Sequence, residues 1–270
     1  MKQTFHFYAG MPRSGGTVLS SILSQNPQVR VTSNTALYDV LSAANKAWHT
    51  APTVISHPMP EQLANMNKAL VNSMWKHCKE PIIIDRNRDW AHSMPISSQW
   101  FNRDVKAIAS IRDIPSIMAS WVTLYKKERG PQTMDDIEII TNNMWHTFTK
   151  QFVDSFVQMK NEAGDRVMMF EYDDIVSDPR FHLTQIENFL GLPHFDYDLE
   201  NIQGDFQDTN IVPGGLKGLH KIRPKYEKVS VAPEEELGTI LYKKYRKLDD
   251  EFRTNLGLEV RYVPETIVIR

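Results

Sequence analysis

The first residues whose types and spacing offer chemistry are Gly10-Met11-Pro12-Arg13-Ser14-Gly15-Gly16-Thr17. They follow the spacing G-x4-G-x-[ST]. The β-rich run Phe5 to Ala9 leads into them, and Val18, Leu19, Ile22 and Leu23 follow at helical spacing. The backbone N–H groups of such a turn, with the positive end of the helix behind it, hold an oxyanion. A loop built for nucleoside triphosphates carries Lys at position 16. Here that position is Gly16, and the cation of the loop is Arg13. Phosphate or sulfate binding survives this change, but the lysine that reaches β- and γ-phosphates is gone.

A second constellation follows the apolar run Val105 to Ile111. Arg112 closes that run, and Ser120 lies eight residues on, about one and a half turns into a helix that begins near Pro115. A planar guanidinium and a hydroxyl suit a second phosphate. A third polar edge, Asp85 to Arg88, follows the buried-strand signature Pro81 to Ile84. Candidates for a general base are Asp85, Asp39, His49, His57 and His92. Asp85 ranks first among them because it sits at a strand's C-terminal edge, where ligands of open α/β sheets bind.

These edges need a scaffold, and the periodicity supplies one. Strands are expected at Phe5–Ala9, Val29–Val31, Pro81–Ile84, Val105–Ile111 and Arg166–Phe170. Helices are expected over Thr17–Ser24, Leu37–Ala47, Glu61–His77, Pro115 to about Glu128, Pro179–Leu190 and Glu234–Asn255. Met134 to Glu162 reads as one long helical stretch with room for a kink. The alternation implies an α/β fold: a single domain over residues 1–270, with a central, mostly parallel sheet flanked by helices and the phosphate loop after its first strand.

Composition narrows the class. With 41% hydrophobic and 24% charged residues the chain is not disordered, and 31 basic against 33 acidic residues exclude a generally basic surface for nucleic acid. The single cysteine, Cys78, rules out a disulfide framework within the chain and points to a reducing compartment. No apolar run approaches the ~18–20 residues that span a bilayer, and the strand that opens the chain leaves no space for a signal segment before the loop. The expectation is a cytoplasmic protein without a membrane or nucleic-acid partner. The run Lys243-Lys244-Tyr245-Arg246-Lys247 reads as the solvated face of a helix, balanced by Asp249-Asp250-Glu251.

Pro12 to Thr17 resembles the PRSGTT/PKSGTT loop of sulfotransferases that use 3′-phosphoadenosine 5′-phosphosulfate (PAPS). The resemblance continues in the family's order. Arg112 and Ser120 match its Arg-x7-Ser signature, and Arg112-Asp113-Ile114-Pro115 is similar to its RDP-type helix start. Glu171 to Pro179 followed by Phe189-Leu190-Gly191-Leu192-Pro193 is similar to its YEDL…DP…FLGLP stretch, and Lys217-Gly218 to its late Lys-Gly. The resemblance implies that Arg13, Ser14, Gly15, Gly16 and Thr17 grip the 5′-phosphosulfate. By the same resemblance Arg112 and Ser120 hold the 3′-phosphate, Tyr172 lies near the adenine, and Lys217 and Gly218 close over the 3′-phosphate. Asp85-Arg86 is similar to an Asp/Asn-Lys step whose cation steadies the sulfuryl group. PAPS is then the donor, 3′,5′-ADP the product and a hydroxyl the acceptor, carbohydrate, small molecule or tyrosyl.

The chain also departs from the pattern. Gly16 replaces the first Thr of the TT pair, and Val18 stands where cytosolic members carry an adenine-stacking Trp. Asn34 and Asn87 occupy the positions of the Glu and His bases of two branches. The leaving group of such a transfer is a phosphate with no triphosphate chain to neutralise, so the logic requires no metal. Residues 34–100, with Trp48, Trp75, Trp90 and Trp100, are expected to contribute the acceptor pocket. Two other readings stand beside this one. One is a P-loop kinase, which needs a phosphate-reaching Lys and a Mg²⁺-holding carboxylate. The other is a nucleotide-binding protein without turnover.

Overall fold

The computed structural model describes residues 3–32, 35–101, 105–204, 222, 224–227 and 232–260. In chain order the elements are β1 (Thr4–Gly10), α1 (Gly16–Leu23), β2 (Val29–Val31), α2 (Leu37–Thr50), α3 (Pro52–Ser56), α4 (Pro60–Met74), β3 (Ile82–Arg86), α5 (Trp90–Ser93) and α6 (Ser97–Phe101). The second half contributes β4 (Ala107–Ile111), α7 (Ile114–Arg129), α8 (Met134–Met144), a π-helical segment (Trp145–Thr149), α9 (Lys150–Ala163), β5 (Val167–Glu171), α10 (Tyr172–Ser177), α11 (Pro179–Leu190) and α12 (Pro233–Leu256).

The five strands form one sheet in the order β2-β3-β1-β4-β5, every pairing parallel. Parallel sheets bury both faces, and the alternation of side chains decides which helix each face meets. Phe5, Phe7, Ala9, Ile83, Ala107, Ala109 and Ile111 pack beneath α2, α7, α9 and α12. Tyr8, Ile84, Ile108 and Phe170 pack beneath α1 and α11. From β1 the chain runs out to β2 and back through β3, then crosses to β4 on the other side. The strand order therefore reverses at β1, the position where open α/β sheets bind ligands. The register sets Gly10 beside Ser110 and Tyr8 beside Arg86, so the loops after β1, β3 and β4 leave the sheet side by side.

Two boundaries differ from the sequence expectation in ways that matter. Strand β3 runs on through Asp85 and Arg86, so these two side chains point to opposite faces. The long stretch from Met134 is continuous to Ala163 but passes through the π segment, which widens one turn and re-aims the side chains after it. Three of the four tryptophans expected around an acceptor pocket, Trp75, Trp90 and Trp100, are core residues.

Helix α12 corrects the reading of the basic tail. Lys243, Lys244 and Lys247 are exposed, but Arg246, Asp249 and Arg253 are buried. The helix packs along α7 and carries a charge network to the sheet edge. Arg253 Nη1 and Nη2 each donate to Glu171, both at 2.9 Å. Asp249 accepts the Ile114 N–H at 2.9 Å and lies 3.4 Å from Arg246. Burial pushes the Asp249 carboxyl up to about 6, against the Ile114 N–H that it accepts. The network grips Glu171 and Ile114, one residue before Tyr172 and two after Arg112.

Removing one partner of a buried pair strands the other charge, at a cost of about 3–5 kcal/mol. Arg253→Met is expected to lower unfolding stability by about 3 kcal/mol in urea titrations. Lys243→Ala, on the solvent face, is expected to stay within about 0.5 kcal/mol of the parent. Equal, small effects of both changes would remove the network from the account.

Candidate active site

The loop after β1 is tight because two hydroxyls fasten it inward. Ser14 Oγ donates to the Met11 carbonyl at 2.7 Å and meets Ser110 Oγ on β4 at 2.8 Å; Ser110 Oγ in turn lies 3.0 Å from Tyr8 OH. The Ser14 side chain is thus engaged in holding the loop, which leaves the backbone as its means of touching a ligand. The turn is closed by two residues in the left-handed region, Arg13 at φ 61° and Gly15 at φ 77°. Helix α1 then starts at Gly16 with no side chain capping it. The N–H groups of Gly16, Thr17 and Val18 belong to its first turn, beyond reach of any carbonyl within the helix. They form an anion site by geometry and by dipole.

Gly16 has a positive reason to be glycine. A Cβ at that position would lie 2.8 Å from Arg86 Nε and Nη2. The Arg86 guanidinium, reaching in from the end of β3, occupies the space a Thr or Lys side chain would need. The residue is 8% exposed, and its Nε and Nη1 are buried with no hydrogen-bond partner. Its ring neighbour is Tyr8, 5.8 Å from the guanidinium carbon. Burial pulls the Arg86 pKa below the usual arginine value. A cation kept from water without a carboxylate is costly, and here it sits at the mouth of an anion cradle.

The second constellation joins the first directly. Arg13 Nε donates to Ser120 Oγ at 3.0 Å, and Arg112 Nη1 donates to the Arg13 carbonyl at 2.7 Å. Arg13 also stands over Trp121, 5.7 Å from its ring centre. Arg112 stacks on Tyr172 at 4.5 Å and keeps a buried, unpartnered Nε. Tyr172 closes against Gly15, where a Cβ would fall 2.7 Å from the ring. The helix start that aims Ser120 is fixed by Asp113, which accepts the Ser116 N–H at 3.0 Å. Arg13, Thr17, Arg86, Arg112, Ser120 and Tyr172 thus converge on one sheet edge.

Asp85 lies on the other face. It is 1% exposed, and three donors occupy its oxygens: Thr32 at 3.0 Å, Thr35 at 2.7 Å and Trp90 Nε1 at 2.9 Å. Burial pushes its carboxyl up against those hydrogen bonds. In this arrangement Asp85 braces β2, residue 35 and Trp90. Asn87 is a turn residue, accepting the Asp89 N–H at 3.0 Å and donating to the Thr35 carbonyl. His49 and His57 are exposed around α2 and α3, away from the cradle loops in sequence and element. His92 meets Ser155 Oγ through Nδ1 at 2.8 Å and lies 3.8 Å from Asp89 through Nε2. Asp39 is exposed on α2, and its charge reaches Asp89. Asn34, Lys217 and Gly218 lie outside the described residues.

One residue beside this edge escapes the sequence reading, Asp89, while Arg88 belongs to the polar edge Asp85 to Arg88 but has no role in that reading. Asp89 is half-buried, and burial raises its carboxyl while His92 and Arg88 lower it. The Arg88 guanidinium stacks over Phe148 at 4.3 Å. The signal that marks them is the polar run Asp85-Arg86-Asn87-Arg88-Asp89 directly after an apolar strand. Among the described residues no cluster of three or more His, Cys, Asp or Glu has metal-binding geometry, and no helix is long and apolar enough to cross a membrane.

A family model described as the sulfotransferase family matches residues 7–197. A curated protein of Caenorhabditis briggsae named "Putative protein-tyrosine sulfotransferase" is 23% identical over 190 residues. That match takes in 70% of this chain and 65% of the relative's length, just under two thirds of it. A sulfotransferase from Alicyclobacillus acidocaldarius superposes with a TM-score of 0.51 at 11% identity, over 96% of this chain and 97% of its own. The sulfotransferase domain from the curacin biosynthetic pathway gives 0.52 at 15% identity, over 96% and 99%. At these identities the two structures speak for the fold.

The two loop glycines are expected to fail differently. Gly15→Ala meets both a left-handed φ and the Tyr172 ring, so it should lower stability by about 1 kcal/mol or more and also weaken 3′,5′-ADP. Gly16→Ala has an ordinary φ and displaces only the Arg86 guanidinium, so it should keep its melting temperature while losing about tenfold in 3′,5′-ADP affinity. Melting curves and calorimetric titrations of both variants check this. A Gly16→Ala protein that binds like the parent would mean that Arg86 does not face the ligand.

Proposed function

The chain belongs to the sulfotransferase family, and on that footing we propose that it moves a sulfuryl group from PAPS to an acceptor hydroxyl, in line and without a metal. The observation that carries this reading is the Arg86 guanidinium, whose Nε and Nη1 are buried without a hydrogen-bond partner among the described residues, beside the uncapped start of α1. When bound, the donor supplies the sulfuryl group: the acceptor oxygen bonds to sulfur, the bond from sulfur to the 5′-phosphate oxygen breaks, and its electron pair stays on that phosphate. The acceptor's proton passes to a base.

The chain's own residues divide this work. The N–H groups of Gly16, Thr17 and Val18 hold the 5′-phosphate, and Arg86 meets the same charge from beneath. Arg13, bent out of the loop by its left-handed φ and steadied by Ser120, stabilises charge that grows on the departing phosphate. Arg112 and Ser120 take the 3′-phosphate, and Tyr172 flanks the adenine. Lys217 and Gly218 retain their expected role over the 3′-phosphate. For the base, the half-buried Asp89 paired to His92 is better suited than Asp85, whose oxygens are filled. Asp85 is then a positioning residue for the β3 edge. The acceptor pocket draws on residues 34–100. The kinase reading loses both residues it needs, a lysine at position 16 and an available carboxylate at position 85.

An acceptor found by screening phenols and sugars with PAPS permits the kinetic test. Arg13→Ala is expected to lower kcat by about 10²–10³ and to change 3′,5′-ADP affinity far less. Asp89→Asn is expected to lower kcat by about 10² or more at unchanged 3′,5′-ADP affinity. Near-parental turnover in Arg13→Ala would contradict the mechanism. Tight 3′,5′-ADP binding without transfer to any acceptor would make the chain a binding protein instead.

A further inference from the structure

Arg88 is a second cation at the β3 edge that no step above uses. It follows Arg86 by two residues and carries its guanidinium over the Phe148 ring at 4.3 Å, with Phe152 at 5.5 Å. Among the described residues it forms no ion pair within 4 Å; the adjacent Asp89 turns to His92 instead, at 3.8 Å. Burial pulls the Arg88 pKa down to about 10, with Arg86 adding to the shift and Asp89 opposing it. Arginine tolerates such a site better than lysine, because the flat guanidinium stacks on rings and is weakly hydrated. Stacking occupies a face of the fork and leaves its N–H edges to aim at an anion.

The rings place this cation relative to the reaction. Phe148 meets Trp121 edge-on at 5.5 Å, and Trp121 lies 5.7 Å beneath Arg13. Arg13 and Arg88 thus stand at the two ends of one aromatic pair, Arg13 at the cradle and Arg88 on the side of α5 and α9. Phe148 lies within the π segment, and such segments recur at functional sites. The charged groups that bear on Arg88 are Arg86 and Asp89, and Asp89 in turn feels His92 and Asp39; the rings of Phe148 and Phe152 lie against the guanidinium.

We propose that Arg88, stacked on Phe148 and Phe152, binds an anionic group of the acceptor, so that the acceptor is a hydroxyl compound already bearing a carboxylate, sulfate or phosphate. The inference rests on the sulfuryl-transfer reading and deepens it: Arg13, Arg86 and Arg112 take the donor's charges, and Arg88 is a described cation of this edge that the donor does not use.

The test uses binding, not turnover. The protein is saturated with 3′,5′-ADP and titrated calorimetrically with two matched pairs, 4-hydroxyphenylacetate against 4-hydroxyphenylacetamide and glucuronate against glucose. In at least one pair the anionic member should bind about tenfold or more tightly than the neutral one. Arg88→Gln should erase that difference and Arg88→Lys should keep part of it, while both variants bind 3′,5′-ADP within about twofold of the parent, which also certifies their fold. A parent protein with no anion preference in either pair, or a preference that survives Arg88→Gln, overturns the proposal. Failure of the parent to bind 3′,5′-ADP at all would overturn the donor reading instead, so the two failures are told apart.

Discussion

A guanidinium removed from water and given no carboxylate is an expensive object, and Arg86 is one. Its backbone is fixed by β3 pairing with β1, and its side chain is driven toward α1 by strand alternation. It fits only because position 16 has no side chain. The missing lysine of the loop and the extra arginine of the strand are one feature. The positive charge has moved from the helix to the sheet, and the glycine is the space it moved into. A bound phosphate would satisfy both Arg86 Nε and Nη1 and the first-turn N–H groups of α1.

The rest of the edge is organised to hold that cradle still. Ser14, Ser110 and Tyr8 tie the loop to β4. Arg112 grips the loop's carbonyl at Arg13, and Arg13 reaches Ser120 on α7. Behind them α12 anchors Glu171 and Ile114 through Arg253 and Asp249. Glu171, Asp249 and Arg253 stand outside the loops that follow β1 and β3. Their effect is on where Tyr172 and the start of α7 sit, so the C-terminal helix is coupled to the site through two backbone positions. Asp85 does the equivalent on the opposite face, bracing the β3 edge through Thr32, Thr35 and Trp90.

Much of this was legible in the chain. The five strands stand out because parallel strands buried on both faces read as short apolar runs, and Pro115 and Pro179 mark helix starts where proline is tolerated. The loop and the Arg112–Ser120 pair are local signals of spacing. What hid was decided at long range. The burial of Arg246, Asp249 and Arg253 depends on α7 and β5 lying against them, and a charged heptad looks the same whether solvated or paired. Asp85 looks free in the sequence because the apolar run ends one residue before it; β3 extends to Arg86, and alternation turns the carboxylate away from the cradle. Trp90 and Trp100 looked like pocket walls because tryptophan type alone does not tell core from cleft. Arg88 needed the π segment to reveal its rings, and a change from α to π winding leaves no mark in hydrophobic spacing.

Arg86 acts as the displaced cation of the cradle. The most direct measurement is the calorimetric dissociation constant of 3′,5′-ADP for the parent and for Arg86→Met, a change that keeps an apolar stem against Tyr8 and removes only the charge. Losing a hydrogen-bonded charge from a phosphate, at about 1.5–3 kcal/mol, predicts an affinity lower by about tenfold to a hundredfold, with the melting temperature of the unliganded protein unchanged or raised because an unpaired buried charge is gone. An unchanged affinity with a lowered melting temperature would contradict it, and would make Arg86 a packing residue of the β1–β3 seam.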